Sequence, residues 1–194
     1  MWWDDLMRFA AAVAAFAAVV DLLLLALLHV VAPEVDPVVR PVSEYALGDF
    51  GPLAAVRTLA QGVGPIALAV ALRREWLGAL LLLVVGLMKL AMLWFPVDAV
   101  GAAATSAGQV HNLLGNLTFF VFPVAALVLF RALRRRGSRL GPPIAVVLAI
   151  ATAGVLVTSA TGGFGLAQRA YLILTAVWLF LAALAVLRRE HTTT

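Results

Sequence analysis

The chain has 194 residues, 64% of them hydrophobic and 12% charged, with a formal net charge of +4 and a mean hydropathy of +1.05. Soluble domains are about 45–50% apolar and about 25% charged, so a free-standing soluble domain is disfavoured and the bilayer is the expected solvent. The positive balance does not point to nucleic acid, because the arginines stand at the ends of apolar runs, where they set topology, and the lack of cysteine removes disulfides, thiolate metal sites and thiol chemistry.

Hydropathy predicts an all-α polytopic bundle of six transmembrane helices in one domain covering residues 1–194. The first span, about 8–31, follows the acidic lead MWWDDLMR and runs into Pro33-Glu34 with no small-residue cleavage site, so it reads as a span and not as a cleaved signal. The connection Pro33 to Gly51 is long for a helical hairpin. Its PVSEYALGD stretch predicts a short extra helix in the first outer loop, with Ser43 as N-cap and Gly48 as stop. The second span, about 52–72, is interrupted by Arg57, Gln61, Gly62, Gly64 and Pro65, and the third covers about 76–95. The small-residue loop FPVDAVGAAATSA leads into the fourth, about 108–130. After the basic RALRRRGSR connection, Gly141-Pro142-Pro143 suits a helix start for the fifth, about 142–160. The glycine-rich SATGGFGLAQRA turn precedes the sixth, about 168–187. Pro65 and Pro123 predict kinks, Gly154 and Thr158 a small-residue helix-packing face, and Trp2, Trp3 and Trp94 interfacial anchors. No internal repeat is evident.

Positive residues predict the orientation. With a cytoplasmic N-terminus, the inner side collects Arg8, Arg73, Arg74, Arg131, Arg134, Arg135, Arg136, Arg139, Arg188 and Arg189, whereas the outer connections hold Arg40, with Arg57 and Arg169 just inside helix ends. Both termini are therefore expected in the cytoplasm, with the chain in the cell (cytoplasmic) membrane. The basic inner loop reads as a topology determinant, with anionic head groups as a second role.

The helical rise of 1.5 Å per residue turns position into depth. Asp21 and Lys89 lie roughly 20 Å from the inner end, and Gln61 and Asn116 roughly 12–14 Å from the outer side, in one slab just outside the midplane. Above it stand Arg57, His29 and His111, then Asp98, Glu44, Tyr45, Gln168 and Arg169. Arg57 and Gln61 share a helix face, as do Asn112 and Asn116, and His111 and Gly115. A charge at the bilayer centre costs about 2.5–3.5 kcal/mol on insertion scales, so Asp21 and Lys89 are expected to face a shared polar cavity, and each other. Against this stand plainer roles. Arg57 can snorkel to the surface, single histidines often serve packing, and Ser43, Glu44 and Tyr45 can simply fix their loop. Phe119, Phe120, Phe122 and Trp178 read as packing or lipid-facing aromatics.

The order Pro41-Val-Ser-Glu, Phe95-Pro96-x-Asp98, Thr105-x-x-Gly108-x-x-His111 and Gly165-x-x-Gln168-Arg169 resembles the bacterial and archaeal multi-pass family catalogued as domain of unknown function 998. The resemblance runs from about His29 to the last span. It implies a helical bundle in the cytoplasmic membrane and no assigned activity. Its motif residues map onto Ser43, Glu44, Asp98, His111, Gln168 and Arg169.

Three functions are open at this point. An outward-facing cavity could bind a lipid head group or a small polar or anionic ligand, with Asp21, Ser43, Glu44, Arg57, Gln61, Lys89, Asp98, His111, Asn112, Asn116, Gln168 and Arg169 as the binding set. An intramembrane hydrolase or transferase could use His111 as general base, oriented by Asp98 or Glu44, or His29, His111 and Asp98 on a divalent metal, although no spacing motif such as HExxH supports the metal. A haem between His29 and His111 is a further form of that reading. A scaffold or accessory subunit would use the polar groups only to hold the bundle and would contact another membrane protein. No cofactor is expected. The partners expected are membrane lipids, a small polar or lipid-like ligand and a membrane protein, with no nucleic acid.

Overall fold

The computed structural model describes residues 2–188, apart from the side chains of residues 159–161; Arg189, counted above among the inner arginines, lies outside the described residues. The helices are α1 (Trp2–Val31), α2 (Gly51–Ala71), α3 (Trp76–Ala91), α4 (Ser106–Val128), α5 (Phe130–Arg135), α6 (Gly141–Thr161) and α7 (Phe164–Arg188), with a 3-10 helix at Val42–Leu47. There is no strand among the described residues. Helices α1, α2, α4, α6 and α7 are long and apolar enough to cross a membrane, and α3 is a shorter apolar helix of 16 residues. The chain is a multi-pass helical membrane protein.

Helix α1 shows how the sequence divides lipid from neighbours. Ala10, Ala11, Ala14, Ala17 and Ala18 recur at helical spacing and are buried, while Phe9, Phe16, Leu23 and Val30 lie exposed on the opposite stripe. Small residues on the inward face let the backbones of α2 and α7 approach closely. The helix begins at Trp2, earlier than the span read from hydropathy, and Asp4 and Asp5 sit in its first turn, where carboxylates favour a helix N-terminus. Proline opens both α2 and α6. The fourth apolar run stops at Val128 and resumes as α5, so the arginine-rich connection is largely helical.

Consecutive long helices pack side by side as a ring, α1–α2–α3–α4–α6–α7 and back to α1, with α2 and α7 also touching across it. At the α2–α3 contact, a Cβ on Gly86 would lie 2.6 Å from the Gly62 carbonyl oxygen and one on Gly62 3.1 Å from that of Gly86, so this backbone approach requires glycine on both sides. At one end, Arg73 stacks 4.2 Å over the Trp3 ring and Arg135 lies 3.6 Å from Glu75. Leu68, Leu72, Leu82, Leu129, Leu133 and Leu148 fill this arginine half and are fully buried. The other end carries the 3-10 helix and the loops, and is termed the polar end.

Local geometry bears on three expectations, of which the Ser43 cap is corrected. Helices α2 and α4 run on through Pro65 and Pro123. Pro123 cannot donate to the Phe119 carbonyl, and that oxygen instead accepts from the Thr152 hydroxyl at 3.0 Å, with the Tyr171 hydroxyl at 3.5 Å. Ser43 is not the N-cap of the 3-10 helix; Pro41 holds that position, while Gly48 does close it. Among the described residues a Cβ on Gly154 would meet no atom within 4 Å, and the Thr158 hydroxyl donates to the Gly154 carbonyl.

Candidate functional site

At the polar end two loops form a roof. Its main fastener is Arg169, buried at 4% exposure on α7. Its Nε donates to His29 Nε2 at 2.8 Å, its Nη1 to the carbonyls of Pro37, Arg40 and Gly165 at 3.1, 2.7 and 3.0 Å, and its Nη2 to the Tyr45 hydroxyl at 3.3 Å. A planar fork with several fixed donors suits such a junction better than a flexible ammonium. Beside it, Gln168 Oε1 accepts from the Val42 amide at 2.7 Å. Glu44 is buried and joins the two loops: one carboxylate oxygen takes Arg40 Nε and the other the Val100 amide at 2.8 Å. The hydrogen-bonded Glu44 pushes the Arg40 guanidinium pKa up.

Asp98 secures the second loop. It accepts from the Thr105 amide at 2.9 Å and the Thr105 hydroxyl at 2.8 Å, and Thr105 Oγ1 in turn caps α4 by accepting from the Gly108 amide at 3.0 Å. These two donors hold the Asp98 carboxyl below the ordinary carboxylate range. A Cβ on Gly108 would run into that carboxylate, so only glycine fits there.

Below the roof lies a chamber of about 570 Å³, lined among others by Ser43, Arg57, Gln61, Lys89, Asp98, His111, Asn112, Asn116 and Gln168. Glu44 and Arg169 are not among its lining residues; they hold the surrounding structure. Under the chamber is a crevice of about 40 Å³ that borders Asp21 and shares Gln61 and Lys89 with it. At about 10–15 Å³ per water, the crevice holds roughly three waters.

The floor is charged. Arg57 and Asp21 are 4% and 5% exposed, so Arg57 does not snorkel. Arg57 Nε lies 2.9 Å from Asp21 Oδ1, and Gln61 Nε2 donates to the same oxygen at 3.1 Å. The Nε–H is not aimed at that oxygen, so the contact is a charge pair and not an aligned hydrogen bond. Asp21 thus pairs with Arg57 and not with Lys89. The reason lies in the sequence spacing: Arg57 and Gln61 share the α2 face against α1 and reach Asp21 together. Lys89 lies within electrostatic range of Asp21, Arg57 and His111, yet takes part in no ion pair or hydrogen bond among the described residues.

Three buried polar atoms on the chamber residues have no hydrogen-bond partner among the described residues: Arg57 Nε, which has only its charge contact with Asp21, Arg57 Nη2 and His111 Nε2. His111 Nδ1 lies 2.8 Å from the Phe95 carbonyl, which can only accept, so Nδ1 carries the proton and Nε2 of the neutral ring holds a lone pair. The Phe95 carbonyl, and not Asp98 or Glu44, orients the imidazole.

His29, Asp98 and His111 do not converge, and no three His, Asp or Glu among the described residues are arranged to hold a metal. His29 Nδ1 is 2.7 Å from the Leu25 carbonyl while Nε2 accepts from Arg169, so neither nitrogen is left for a metal or a haem. Sequence reasoning places Thr105 in a motif but not its capping role, although threonine three residues before Gly108 at a helix start is a capping signal. It also misses the carbonyls of Pro37 and Arg40 as receptors for Arg169, which no side-chain pattern encodes.

The model of a family described as "Protein of unknown function (DUF998)" matches residues 10–185. The chain belongs to this family. The matched region reaches from α1 to α7, so the DUF998 chain carries the charged floor, the roof and its fasteners within the family's span. No curated protein and no solved structure matches the chain.

Proposed function

We propose that this chain is an integral protein of the cytoplasmic membrane whose chamber binds an anionic or polar ligand, a lipid head group or a small solute, from the outer face. The short helix α3 crosses as the sixth span in this reading, and the arginine end faces the cytoplasm with both termini, in line with the positive-inside rule. The observation that carries the binding function is the pair of unpartnered buried atoms, Arg57 Nη2 and His111 Nε2, on a chamber that also holds the unpaired Lys89. Buried polar atoms are nearly always satisfied, and a guanidinium left half-bonded beside a free ammonium favours an anion. With Asp21 neutralising one of the two cations, the floor keeps an excess positive charge.

The chamber is blind. Below the crevice, Ala17, Pro65, Val85, Phe122 and Leu179 close the space with apolar groups, which supports binding over conduction. A second reading rests on the free lone pair of His111: an imidazole held by the Phe95 carbonyl suits a general base in an intramembrane hydrolase or transferase.

Native mass spectrometry of the purified protein tests the binding function. The expected result is a retained anionic species that is lost in Lys89→Met. Repeated preparations with no bound species in the unsubstituted protein, and no uptake of added anionic lipid or phosphate, would refute it.

A further inference from the structure

The chamber has a side as well as a roof. Helix α3 ends at Ala91 after 16 residues, about 24 Å of rise, short of the roughly 30 Å hydrocarbon core. The first turns of α4 stand beside the place where α3 stops. There Asn112 and Asn116 line the chamber and are at the same time exposed, as is Leu93 at 38%. The two helices meet thinly at this level: a Cβ on Gly115 would touch only the Met92 methyl, at 3.7 Å. Leu113 and Leu117, at 58% and 41% exposure, continue the same surface outward as an ordinary lipid face. Asn116 lies about 15 Å along α4, and bare amides at that depth in hydrocarbon are costly unless they find polar partners.

The chemistry of the chamber narrows the ligand further. Arg57 and Lys89 offer cations to an anion, but His111, which lines the same chamber, holds in its neutral form a lone pair on the unpartnered Nε2. A carboxylate or a fully ionised phosphate would set oxygen lone pairs against that nitrogen. A ligand that supplies both an anionic oxygen and a hydroxyl donor satisfies all three. Part of the remaining wall, with Leu28, Phe119, Phe164 and Leu172, is apolar.

Building on the binding function above, we infer that the ligand is a phosphate lipid whose head group bears a hydroxyl, and that it enters sideways from the bilayer between the end of α3 and the start of α4. The head group occupies the chamber, with its phosphate toward Arg57 and Lys89 and its hydroxyl toward His111 Nε2. The acyl chains leave past Asn112 and Asn116 into the lipid. A soluble phosphate would share the head-group chemistry but has no use for the side opening.

The test compares two probes of the same head-group chemistry on the full chain: phosphatidylglycerol in phosphatidylcholine nanodiscs, and glycerol 3-phosphate in water with detergent-purified protein. The expected result is that the lipid binds at least tenfold more tightly than the soluble phosphate and that Lys89→Met weakens both. Asn116→Trp, which narrows the opening, lowers the ratio of lipid to soluble affinity at least tenfold. Equal affinity of the two probes, or an unchanged ratio in Asn116→Trp with its fold verified by circular dichroism, overturns sideways entry and leaves the chamber as a binding site. Failure of both probes to bind, with Lys89→Met indistinguishable from the unsubstituted protein, overturns the chamber's binding function as well.

Discussion

The ion pair between Asp21 and Arg57 gives the sharpest prediction. Both residues are about nineteen-twentieths buried, on the 5% and 4% exposures quoted above. Arg57→Met removes the guanidinium with little change of length and leaves the Asp21 carboxylate with Gln61 as its hydrogen-bond partner. Removing one member of a buried pair costs about 3–5 kcal/mol, because the other charge stays buried and uncompensated. Lys89 lies within electrostatic range of Asp21, so the lower part of that range, about 3 kcal/mol, is expected. For a chain of this size that corresponds to a fall of about 6–12 °C in Tm. Asp21→Asn keeps a hydrogen-bonding group for Gln61 but strands Arg57, and a loss of similar size follows. The double variant Asp21→Asn/Arg57→Met has no stranded charge, and it should recover at least about 2 kcal/mol of the summed losses. Thermal unfolding in a fixed detergent, followed by circular dichroism at several scan rates, reads all four proteins. Two single losses that simply add in the double variant would show that the residues do not act as a pair, and the account of the floor would fail.

The other predictions concern neighbouring groups. Lys89→Met removes an unpaired cation from within the bundle and should leave the ligand-free protein more stable by about 1–2 kcal/mol, while abolishing retention of the anionic species; a less stable variant would mean that Lys89 has a structural partner. His111→Asn keeps a donor near the Phe95 carbonyl and deletes Nε2, so folding should survive while binding of a hydroxyl-bearing ligand weakens about tenfold, roughly 1.4 kcal/mol; unchanged affinity would remove Nε2 from the site. Gly108→Ala drives a methyl into the Asp98 carboxylate and should cost about 1–3 kcal/mol, visible as a lowered Tm and faster proteolysis in the second roof loop. The Asp98 pKa is lowered in the folded chain, so its stabilising contribution is complete above the ordinary carboxylate value near 3.8 and disappears as pH falls through the lower folded value. Protection of the Thr105 amide against hydrogen exchange should hold from neutral pH down to that range and drop below it; protection that declines between pH 7 and 5 would contradict the sign. Arg169→Lys loses the fork that serves His29, three carbonyls and Tyr45 together, and should loosen the first roof loop, measured as faster exchange at Val42.

The all-helical, multi-pass architecture was legible because apolar run length is a local property of the chain. The depth argument likewise brought Asp21, Gln61 and Lys89 to one level, with Arg57 above them, since helical rise converts sequence number directly into height. It could not choose Arg57 over Lys89 as the partner of Asp21, because that depends on which helices are neighbours in the ring. The roof contacts of Glu44, Gln168 and Arg169 were hidden from the sequence for a related reason. Their side chains bind backbone groups of distant loops, and a carbonyl of Pro37 or Arg40 has no signature in the residue alphabet. His29 illustrates the same limit: a histidine near a helix end reads as a candidate ligand until an arginine some 140 positions away is found on its free nitrogen. At Pro123 the carbonyl left without its helical donor is served by hydroxyls from α6 and α7, partners that the local sequence does not name.

The reciprocal glycine contact between α2 and α3 has a mechanical implication. Gly62 follows Gln61 directly and Gly86 stands one turn before Lys89, so the two polar side chains are mounted where the backbones of α2 and α3 come close, with Leu90 and Ile66 packed against the paired glycines. That pairing sets the spacing of Gln61 and Lys89 across the cavity floor, whereas the α4 side, where a Cβ on Gly115 would meet only the Met92 methyl, is its thinner wall.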